Sequence, residues 1–538
     1  WPDYRNTEIY FISPYLLSLA ATYRIDILTP TQRLDTKLLA FLGDSIFSFH
    51  PDAVPTVQFK RCKAYPNIRQ IADLLPDVLE LREEFNHNLI AASGIFSSTW
   101  YESLYPDIRE AMVNPLSHYL KYGIYEGRSA SPNFNNEFYY QTYLSDKNID
   151  LPPLLHYLKF GKPQGYQTFP PPLSGDIVLR KKRRTVLVCG HAAGKQIFGA
   201  ERSLIEILDA FVELKYNVIV TIPDYTNTEY LLALRKRSHK VLVVSSPLWT
   251  QSPIPYSDAI SKFREIIDEY SIQAVHTNTI MQREPLIAAK QAGIRSIVHV
   301  HEILDDNDEA CMHIKMPASR IYQTVSEIAD VAIANSQFTA SHLHHFKSVH
   351  VVSNNVNFQE FDIENKINSS SISIAIISSN IEKKGVSDFI EVANLLAQSL
   401  DNARFLIIGP CTAHVQSLKT NIIDKNNTIE FIDYVSNPLL AISQANIIVS
   451  MSTCQETFGR TILEGMAARR AVIAYDRGAF SELIKDGETG FLISFKDISQ
   501  VAGKIKELCL NPGKITSLGE KGRMYAIKNF NKSCIKNQ

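Results

Sequence analysis

The sequence predicts an α/β protein in which two doubly wound parallel sheets face a cleft, preceded by a mainly helical repeat region. Short β-branched runs alternate with longer helix-like stretches from residue 183 onward, and this alternation pauses near residue 356 before it restarts. A tandem repeat lies upstream of residue 169. The chain has 538 residues, more than one hydrophobic core usually supports, which agrees with several domains.

The composition excludes a strong electrostatic field of one sign around the whole molecule. Lysine plus arginine (55) nearly cancels aspartate plus glutamate (56), so we expect no nucleic-acid partner. Seven cysteines without metal-like spacing fit a reducing compartment, and the predicted location is cytoplasmic. The apolar stretch at residues 9–21 contains Pro14 and is too short for a membrane helix.

Residues 1–90 contain no chemical motif and remain unassigned. The chain opens with Trp1 rather than Met, so this region can be a fragment of a longer one.

Residues 91–168 hold two units that share one register of 38 residues, "FSSTWYESLYPDI" from Phe96 and "FNNEFYYQTYLSD" from Phe134. In each unit a proline precedes an apolar run that ends at a glycine, which predicts a short helix. His118 and His156 occupy the same place in the two units, where packing is a better expectation than metal binding or catalysis. Such units resemble segments found beside glycosyltransferase modules in bacterial polysaccharide-assembly proteins, which implies assembly partners.

Residues 169–182 read as a Pro-rich and basic linker, "FPPPLSGD" and the start of a basic run at residues 180–184. That run either touches anionic lipid headgroups or is simply solvated charge ahead of a strand, and we favour the second. Two sheet domains follow, at residues 183–356 and 357–538. Their predicted strands are "TVLVCG", "NVIVTIP", "KVLVVSS", "QAVHTNT", "SIVHVHE" and "VAIANS", then "SISIAIIS", "RFLIIG", "IEFIDYV", "NIIVSMS" and "AVIAYD". Open parallel sheets bind ligands beyond the carboxyl ends of their strands, so two facing sheets create a cleft.

The segment "STCQETFGRTILEGMA" (Ser452–Ala467) follows one of these strands and begins a helix. A helix start offers free amides that suit a phosphate, and Gly459 lets the backbone come close to it. Glu456 and Glu464 stand eight residues apart, about 12 Å along a helix, so they can accept from different hydroxyls of one elongated sugar-bearing ligand. The alternative is an ordinary pair of glutamates on a solvated helix.

Together with "RGAFSELIKDGETGFLIS" downstream, this segment makes residues 183–530 resemble the retaining family 4 glycosyltransferases of GT-B fold, which have two Rossmann-like domains. The resemblance implies that Glu456 contacts the donor sugar and Glu464 holds the nucleotide ribose. It also implies that the turn at Phe458 and Gly459 presents amides to the donor.

Three further matches extend the resemblance. "FGAERSLIEIL" implies that Gly199 brings amides towards the diphosphate, although it also fits a plain helix-start glycine. "NIEKKGVSDFI" implies that Lys384 pairs with phosphate, and "VHVHEILDD" offers His301 near the acceptor. We expect His299 to point to the other face of the sheet. Tyr434 lies near the place where the family seats the base, or it only packs.

The chain departs from the family pattern at two places. Ser379 stands where an arginine is expected five residues before Lys384, which removes one charge from the diphosphate site. The usual A-x-G-x-P after the helix reads "AARRAV", and we consider Arg469 or Arg470 as a replacement for that charge.

The sequence therefore predicts a retaining glycosyltransferase of hexosyltransferase type that uses a nucleotide diphosphate sugar, without metal or further cofactor, in bacterial cell-surface polysaccharide biosynthesis. Its acceptor would be a glycan or a lipid-linked molecule, and peripheral contact with the inner face of the cell membrane fits such an acceptor. Two alternatives stay open. One is a non-catalytic scaffold with a decayed transferase module, and the other is a different GT-B enzyme, such as a sugar-nucleotide epimerase.

Overall fold

The computed structural model describes residues 86–531, apart from 146–150, 192, 193, 195, 225, 226, 247, 250–253, 306, 307 and 422–428. Most of the unassigned region at residues 1–90 therefore lies outside the described residues. The chain divides into two compact units, residues 1–169 and residues 170–538. None of the described helices is long and apolar enough to span a bilayer.

The described part of the first unit is built from short helices, as its sequence predicts. Residues 86–93 are helical, and the helices that follow are α1 (Ser98–Leu104), α2 (Pro106–Glu110), α3 (Pro115–His118), α4 (Asn136–Tyr143) and α5 (Pro153–His156). Helices α3 and α5 each continue into a π-helical turn, at Tyr119–Gly123 and Tyr157–Gly161.

Corresponding residues of the two 38-residue units occupy corresponding places. The ring hydroxyl of Tyr101 lies 3.1 Å from His118 Nδ1, and that of Tyr139 lies 2.8 Å from His156 Nδ1. A Cβ added at Gly123 would collide with the hydroxyl of Tyr101, and one added at Gly161 would collide with the hydroxyl of Tyr139. Both histidines thus sit in aromatic packing, and the origin of the units by duplication stays a prediction.

The first lobe of the second unit is an eight-stranded sheet with the order β1-β4-β3-β2-β5-β6-β7-β8. Strand β1 runs antiparallel to β4, and the other strands are parallel. The strands are β1 (Leu173–Ser174), β2 (Thr185–Cys189), β3 (Asn217–Ile222), β4 (Lys240–Val243), β5 (Ala274–Thr277), β6 (Arg295–Val300), β7 (Val331–Ala334) and β8 (Val349–Val351). The helices are α6 (Gly199–Glu213), α7 (Thr228–Arg235), α8 (Ser257–Glu269), α9 (Glu284–Ala292), α10 (Asp308–Ile314), α11 (Ala318–Ile328) and α12 (Gln337–Ser341).

The second lobe is a six-stranded parallel sheet with the order β11-β10-β9-β12-β13-β14. Its strands are β9 (Ile372–Ile377), β10 (Ala403–Ile408), β11 (Ile429–Ile432), β12 (Ile447–Ser450), β13 (Ala471–Tyr475) and β14 (Phe491–Ile493). Its helices are α13 (Val386–Leu396), α14 (Ala413–Asn421), α15 (Pro438–Ser443), α16 (Arg460–Ala467), α17 (Phe480–Leu483), α18 (Ile498–Leu510) and α19 (Pro512–Phe530). Every predicted strand of both lobes is present, and buried runs such as β13 explain why their sequences are continuously apolar.

The predicted linker is partly attached to the first sheet. Strand β1 lies within it and pairs with β4, and the amide of Arg180 donates to Asn217 Oδ1 at 2.9 Å. Two residues of edge strand carry too little pattern to be read from the sequence.

The order of the strands places the site. In each sheet the direction of winding reverses beside the first long strand, between β2 and β5 and between β9 and β12. Loops that leave the carboxyl ends of such neighbouring strands diverge and open a crevice between them. Ligand-binding residues are therefore expected after these four strands.

Candidate active site

A cavity of about 310 Å³ opens between the two lobes of the second unit, beyond the carboxyl ends of their sheets. All seven residues predicted to form the site line it: Gly199, His301, Lys384, Glu456, Phe458, Gly459 and Glu464. They come from four separate segments of the chain, so the fold alone brings them together. Their individual roles remain predictions.

Lys384 and Glu456 form an ion pair on the wall of the cavity, with 2.6 Å between Nζ and Oε1. Burial disfavours both charges, but the attraction between the two groups is larger than this cost. The pKa of Lys384 is therefore raised and that of Glu456 is lowered. Ser452 adds a hydrogen bond from its hydroxyl to the same carboxylate oxygen at 2.5 Å. Both groups therefore remain ionised around neutral pH, and the pair presents a cation and a carboxylate side by side.

The turn before α16 has a backbone that requires glycine. Gly459 has φ of 94°, and a Cβ there would lie 2.5 Å from the ring of Phe480. Phe458 turns its ring into the core, where it packs edge-on against Phe530. The first turn of α16 thus faces the cavity with backbone amides rather than bulky side chains, and the first amides of a helix have no partner within it.

Glu464 is buried, and an arginine of the first lobe engages its carboxylate. Arg202 Nη1 donates to Glu464 Oε1 at 2.6 Å, and Arg460 Nη2 lies 3.8 Å from the same oxygen. Arg460 in turn binds both oxygens of Glu206 through its two terminal nitrogens, at 2.6 and 3.0 Å. Burial opposes the charge on Arg460, but Glu206 and Glu464 outweigh it and raise its pKa. These charges join α6 to α16 across the cleft.

His301 follows β6 and lies beside the end of β5. Its Nε2 is 3.1 Å from Asn278 Oδ1, and the Asn278 amide nitrogen donates to the Ala200 carbonyl at 3.1 Å. Because this second bond fixes the orientation of the amide, Nε2 of His301 carries the hydrogen. Burial, with the nearby His191, His276 and Arg460, lowers the pKa of His301 to about 3. The imidazole is therefore neutral at physiological pH.

The expectation for His299 is wrong. Its ring stacks on that of His301 with centroids 4.2 Å apart, because residues two positions apart in a strand point to the same face. His299 is 3% exposed, and both of its ring nitrogens lack a hydrogen-bond partner among the described residues. Burial, His301 and His276 together hold its pKa well below the usual range.

Gly199 begins α6 at the rim of the cavity. The amide just before it, of Phe198, donates to Glu201 Oε2 at 2.9 Å, which fixes the start of the helix. A Cβ at Gly199 would meet only Arg460 Cδ, at 3.4 Å, so no strain demands glycine here. The missing side chain instead keeps the start of α6 open to the cavity.

Two contacts that the sequence did not reveal join the lobes near the site. Tyr434 Oη accepts from the Ile197 amide at 3.0 Å and donates to the Ile197 carbonyl at 2.7 Å. Glu482 accepts from the amides of Gln337 and Phe338 at the start of α12, at 2.9 and 2.6 Å. Tyr434 also lines the cavity, and its place beside the nucleotide base stays a prediction.

The structure corrects the expectation for the replacement charge. Arg469 pairs with Asp362 and Glu520 on the surface, and Arg470 donates to the carbonyl of Ile442. Neither arginine lines the cavity, whereas Ser379 does. Arg202 and Arg460 are the arginines that do line it, and sequence reasoning missed both because their side chains become neighbours only when the two lobes meet.

Two family models match adjacent segments of the chain. The model of glycosyltransferase family 4 matches residues 197–360, and the model described as glycosyl transferases group 1 matches residues 357–525. The first match falls on the first lobe and the second on the second lobe. Together they cover every segment that lines the cavity.

Curated relatives match over part of their length. The capsular polysaccharide biosynthesis glycosyltransferase CapM of Staphylococcus aureus is 23% identical over 193 residues, which cover 34% of this chain and 50% of CapM. The poly(ribitol-phosphate) alpha-N-acetylglucosaminyltransferase of Staphylococcus aureus (strain COL) is 28% identical over 162 residues, which cover 30% of this chain and 32% of that protein. The chain thus spans about a third to a half of the length of these two relatives.

Solved structures match both lobes. HepE (Alr3699) of Anabaena, crystallised with UDP and glucose, superposes with a TM-score of 0.55 at 18% identity, over 66% of this chain and 97% of HepE. TarM of Staphylococcus aureus superposes with a TM-score of 0.55 at 14% identity, over 66% of this chain and 98% of TarM. At these identities the likeness establishes the fold alone.

Proposed function

From residues 197–525, which form a two-lobed glycosyltransferase module of the GT-B fold, we propose that the protein moves a sugar from a nucleotide diphosphate sugar to an acceptor hydroxyl. The GT-B fold and the glycosyltransferase family are confirmed for these residues, whereas the retaining mechanism and the tandem repeat stay predictions. The donor, the acceptor and the roles of single residues are proposals.

The proposal rests on one observation. The seven predicted residues line a single cavity, which lies beside the points where the winding of the two sheets reverses. Breaking the bond between the anomeric carbon and the phosphate oxygen builds negative charge on the departing diphosphate. Amides at the start of α16 and the ammonium of Lys384 are groups that stabilise such charge without rearranging. Glu456, held by Lys384 and Ser452, orients hydroxyls of the donor sugar.

We assign retention of the anomeric configuration by resemblance. In this mechanism the acceptor hydroxyl attacks from the face that the diphosphate leaves, and the leaving phosphate oxygen takes its proton. His301 is neutral and held by Asn278, so it positions the acceptor rather than shuttling a charge. The contacts of Tyr434 and Glu482 between lobes favour a closed cleft, which excludes water that would hydrolyse the donor.

The names of related proteins support the substrate class. HepE was crystallised with UDP and glucose, and TarM with UDP and alpha-GlcNAc-glycerol. CapM takes its name from capsular polysaccharide biosynthesis. We therefore propose a uridine or other nucleotide diphosphate hexose as donor, a glycan or lipid-linked acceptor of the bacterial cell surface, and action at the cytoplasmic face of the membrane. No metal or further cofactor is proposed.

One observation favours the scaffold alternative, namely Ser379 on the cavity wall in place of the expected arginine. A decayed module would keep its fold and lose its turnover. An assay of nucleoside diphosphate release decides between the transferase and the scaffold.

The test is release of nucleoside diphosphate from a panel of UDP- and GDP-sugars, in EDTA, with candidate glycan acceptors. We expect release with at least one donor, and a fall of about 10²-fold or more in Glu456→Gln and Glu464→Gln. Glu507→Gln, a half-buried pair partner of Lys504 on α18 that does not line the cavity, is the matched control and should equal the parent. Absence of turnover with every donor supports the scaffold, and equal rates in all variants refute the site.

A further inference from the structure

Four charged side chains form a crossed pattern between α6 and α16, here called the charge cross: Arg202, Glu206, Arg460 and Glu464. Each helix carries an arginine and, four residues later, a glutamate, so each pair lies on one helical face. Arg202 reaches Glu464 at 2.6 Å, and Arg460 reaches Glu206 at 2.6 Å. The lobes are thereby joined by two reciprocal ion pairs at the start of both helices.

The two arginines of the charge cross are committed to different degrees. Arg460 grips both oxygens of Glu206, and its side chain is 12% exposed. Arg202 makes one hydrogen bond within the described residues, to one oxygen of Glu464, and its side chain is 25% exposed. Arg202 Nε is buried and has no hydrogen-bond partner in the described part of the chain. Arg202 therefore has donors to spare on the wall of the cavity.

The bond from Arg202 to Glu464 competes with a donor. Both oxygens of a carboxylate can accept from the vicinal hydroxyls of a ribose, and Arg202 already donates to Oε1 of Glu464. A ribose hydroxyl that donates to Oε1 therefore competes with Arg202 for this oxygen. The displaced guanidinium lines the same cavity as Lys384, where a nucleotide diphosphate brings a negative charge that a planar fork of donors matches well.

We propose that Arg202 is a donor-positioning residue that leaves Glu464 when the ribose binds and pairs with the diphosphate, in place of the arginine absent at Ser379. This inference rests on the proposed function. It assigns to the first lobe a charge that the family pattern supplies from the second. It also makes closure of the lobes depend on the phosphates of the donor.

The test compares nucleoside diphosphate with monophosphate binding by calorimetry, using UDP and UMP, and GDP and GMP as a second pair. Arg202→Met should weaken diphosphate binding about 10-fold to 100-fold and monophosphate binding much less, because the lost charge-assisted bonds go to the second phosphate. Arg202→Lys should recover part of this difference. Arg237→Met, which breaks an ordinary pair with Asp209, is the matched control.

The competing outcome is a purely structural Arg202. In that case removal of the side chain frees Glu464 and changes the affinity for both nucleotides by the same factor, and this result overturns the inference. If Arg202→Met does not fold, the comparison is made with Arg202→Gln, which also removes the charge and whose unchanged ratio of diphosphate to monophosphate affinity would overturn the inference equally. A parent protein that binds none of UDP, GDP, ADP, CDP and dTDP contradicts the proposed function itself, and with it this inference.

Discussion

Tyr434 of the second lobe and Ile197 of the first exchange two hydrogen bonds, with the phenol accepting from the amide at 3.0 Å and donating to the carbonyl at 2.7 Å. Ile197 directly precedes the turn that starts α6 at Gly199. A single side chain thus fixes the loop that brings the first amides of α6 to the cavity, and it ties that loop to the opposite lobe.

Tyr434→Phe should therefore raise the KM for the donor about 3-fold to 10-fold, because loss of one or two ordinary hydrogen bonds loosens the loop by that amount. Its melting temperature should change little, since many other contacts hold each lobe. Steady-state kinetics checks the first point and thermal unfolding the second. Tyr140→Phe, with a partly exposed ring in the first unit, serves as the control. An unchanged KM would show that the tie has no part in donor binding.

Lys384 offers a direct comparison with its neighbour. Lys384 points into the cavity and pairs with Glu456, whereas Lys383 is exposed and does not line the cavity. We expect Lys384→Met to lower kcat/KM on the order of 10²-fold to 10³-fold, the usual cost of removing a preorganised donor to developing charge. Lys383→Met should stay within about 2-fold of the parent. Similar losses in both variants would point to general surface charge instead.

We expect the pH profile of the activity to show no step from the titration of His301. Since its pKa is lowered to about 3, chiefly by burial, the imidazole stays neutral between pH 5 and 8. The pH dependence of kcat/KM should then show no step near 6.5, the ordinary histidine value. A step near 6.5 that disappears in His301→Asn would contradict the assigned neutral, positioning role.

Acid should weaken the first lobe through two other histidines. His276 and His299 are each 3% exposed, and burial lowers the pKa of His276 to about 4 and that of His299 well below 6.5. Because the folded values lie below the unfolded value, the unfolded chain takes up protons first, and stability is lost as pH falls below about 6.5. At pH 5 the loss is about 2 kcal/mol for His276.

Chemical denaturation at pH 7.5 and pH 5 measures this loss. His276→Phe, which keeps an aromatic ring without a titrating group, should reduce the difference between the free energies of unfolding at the two pH values by about 2 kcal/mol. The same difference in the variant and the parent would show that other groups cause the acid sensitivity.

The positive φ of Gly459 favours glycine at this position, and a substitution there tests this through the free energy of unfolding. Gly459→Ala adds a Cβ 2.5 Å from the ring of Phe480 at φ of 94°, so we expect a loss of about 1–3 kcal/mol in the free energy of unfolding and a displaced turn. Gly503→Ala is the matched control, because Gly503 lies in α18 with open space around it. There alanine should stabilise the helix by up to about 1 kcal/mol. Equal effects of the two substitutions would contradict this preference for glycine.

Much of this architecture could be predicted from the sequence. Parallel strands buried on both faces must be apolar throughout, so runs such as "AVIAYD" are legible without tertiary knowledge. Candidate residues such as Lys384 and Gly459, which line the cavity, can be recognised because they follow strands and occur in specific motifs. The reading failed where side chains from distant segments meet.

The missed features share one physical cause. Arg202 and Glu464 are 262 positions apart, and nothing local distinguishes Arg202 from an ordinary solvated arginine on a helix. Arg469 and Arg470 seemed suitable for the site because they follow α16, but the helix carries them to its far end, where carboxylates and carbonyls bind them. The predicted orientation of His299 is wrong because side chains two positions apart in a strand point to the same face, which places His299 beside His301.

The most direct test of the account is a crystal structure with an unreactive nucleotide diphosphate sugar. We expect the diphosphate within hydrogen-bond distance of Lys384 and the first amides of α16, the ribose on Glu464 and the sugar beside Glu456. A donor analogue bound outside this cleft, or bound with its phosphates away from Lys384 and α16, would contradict the account.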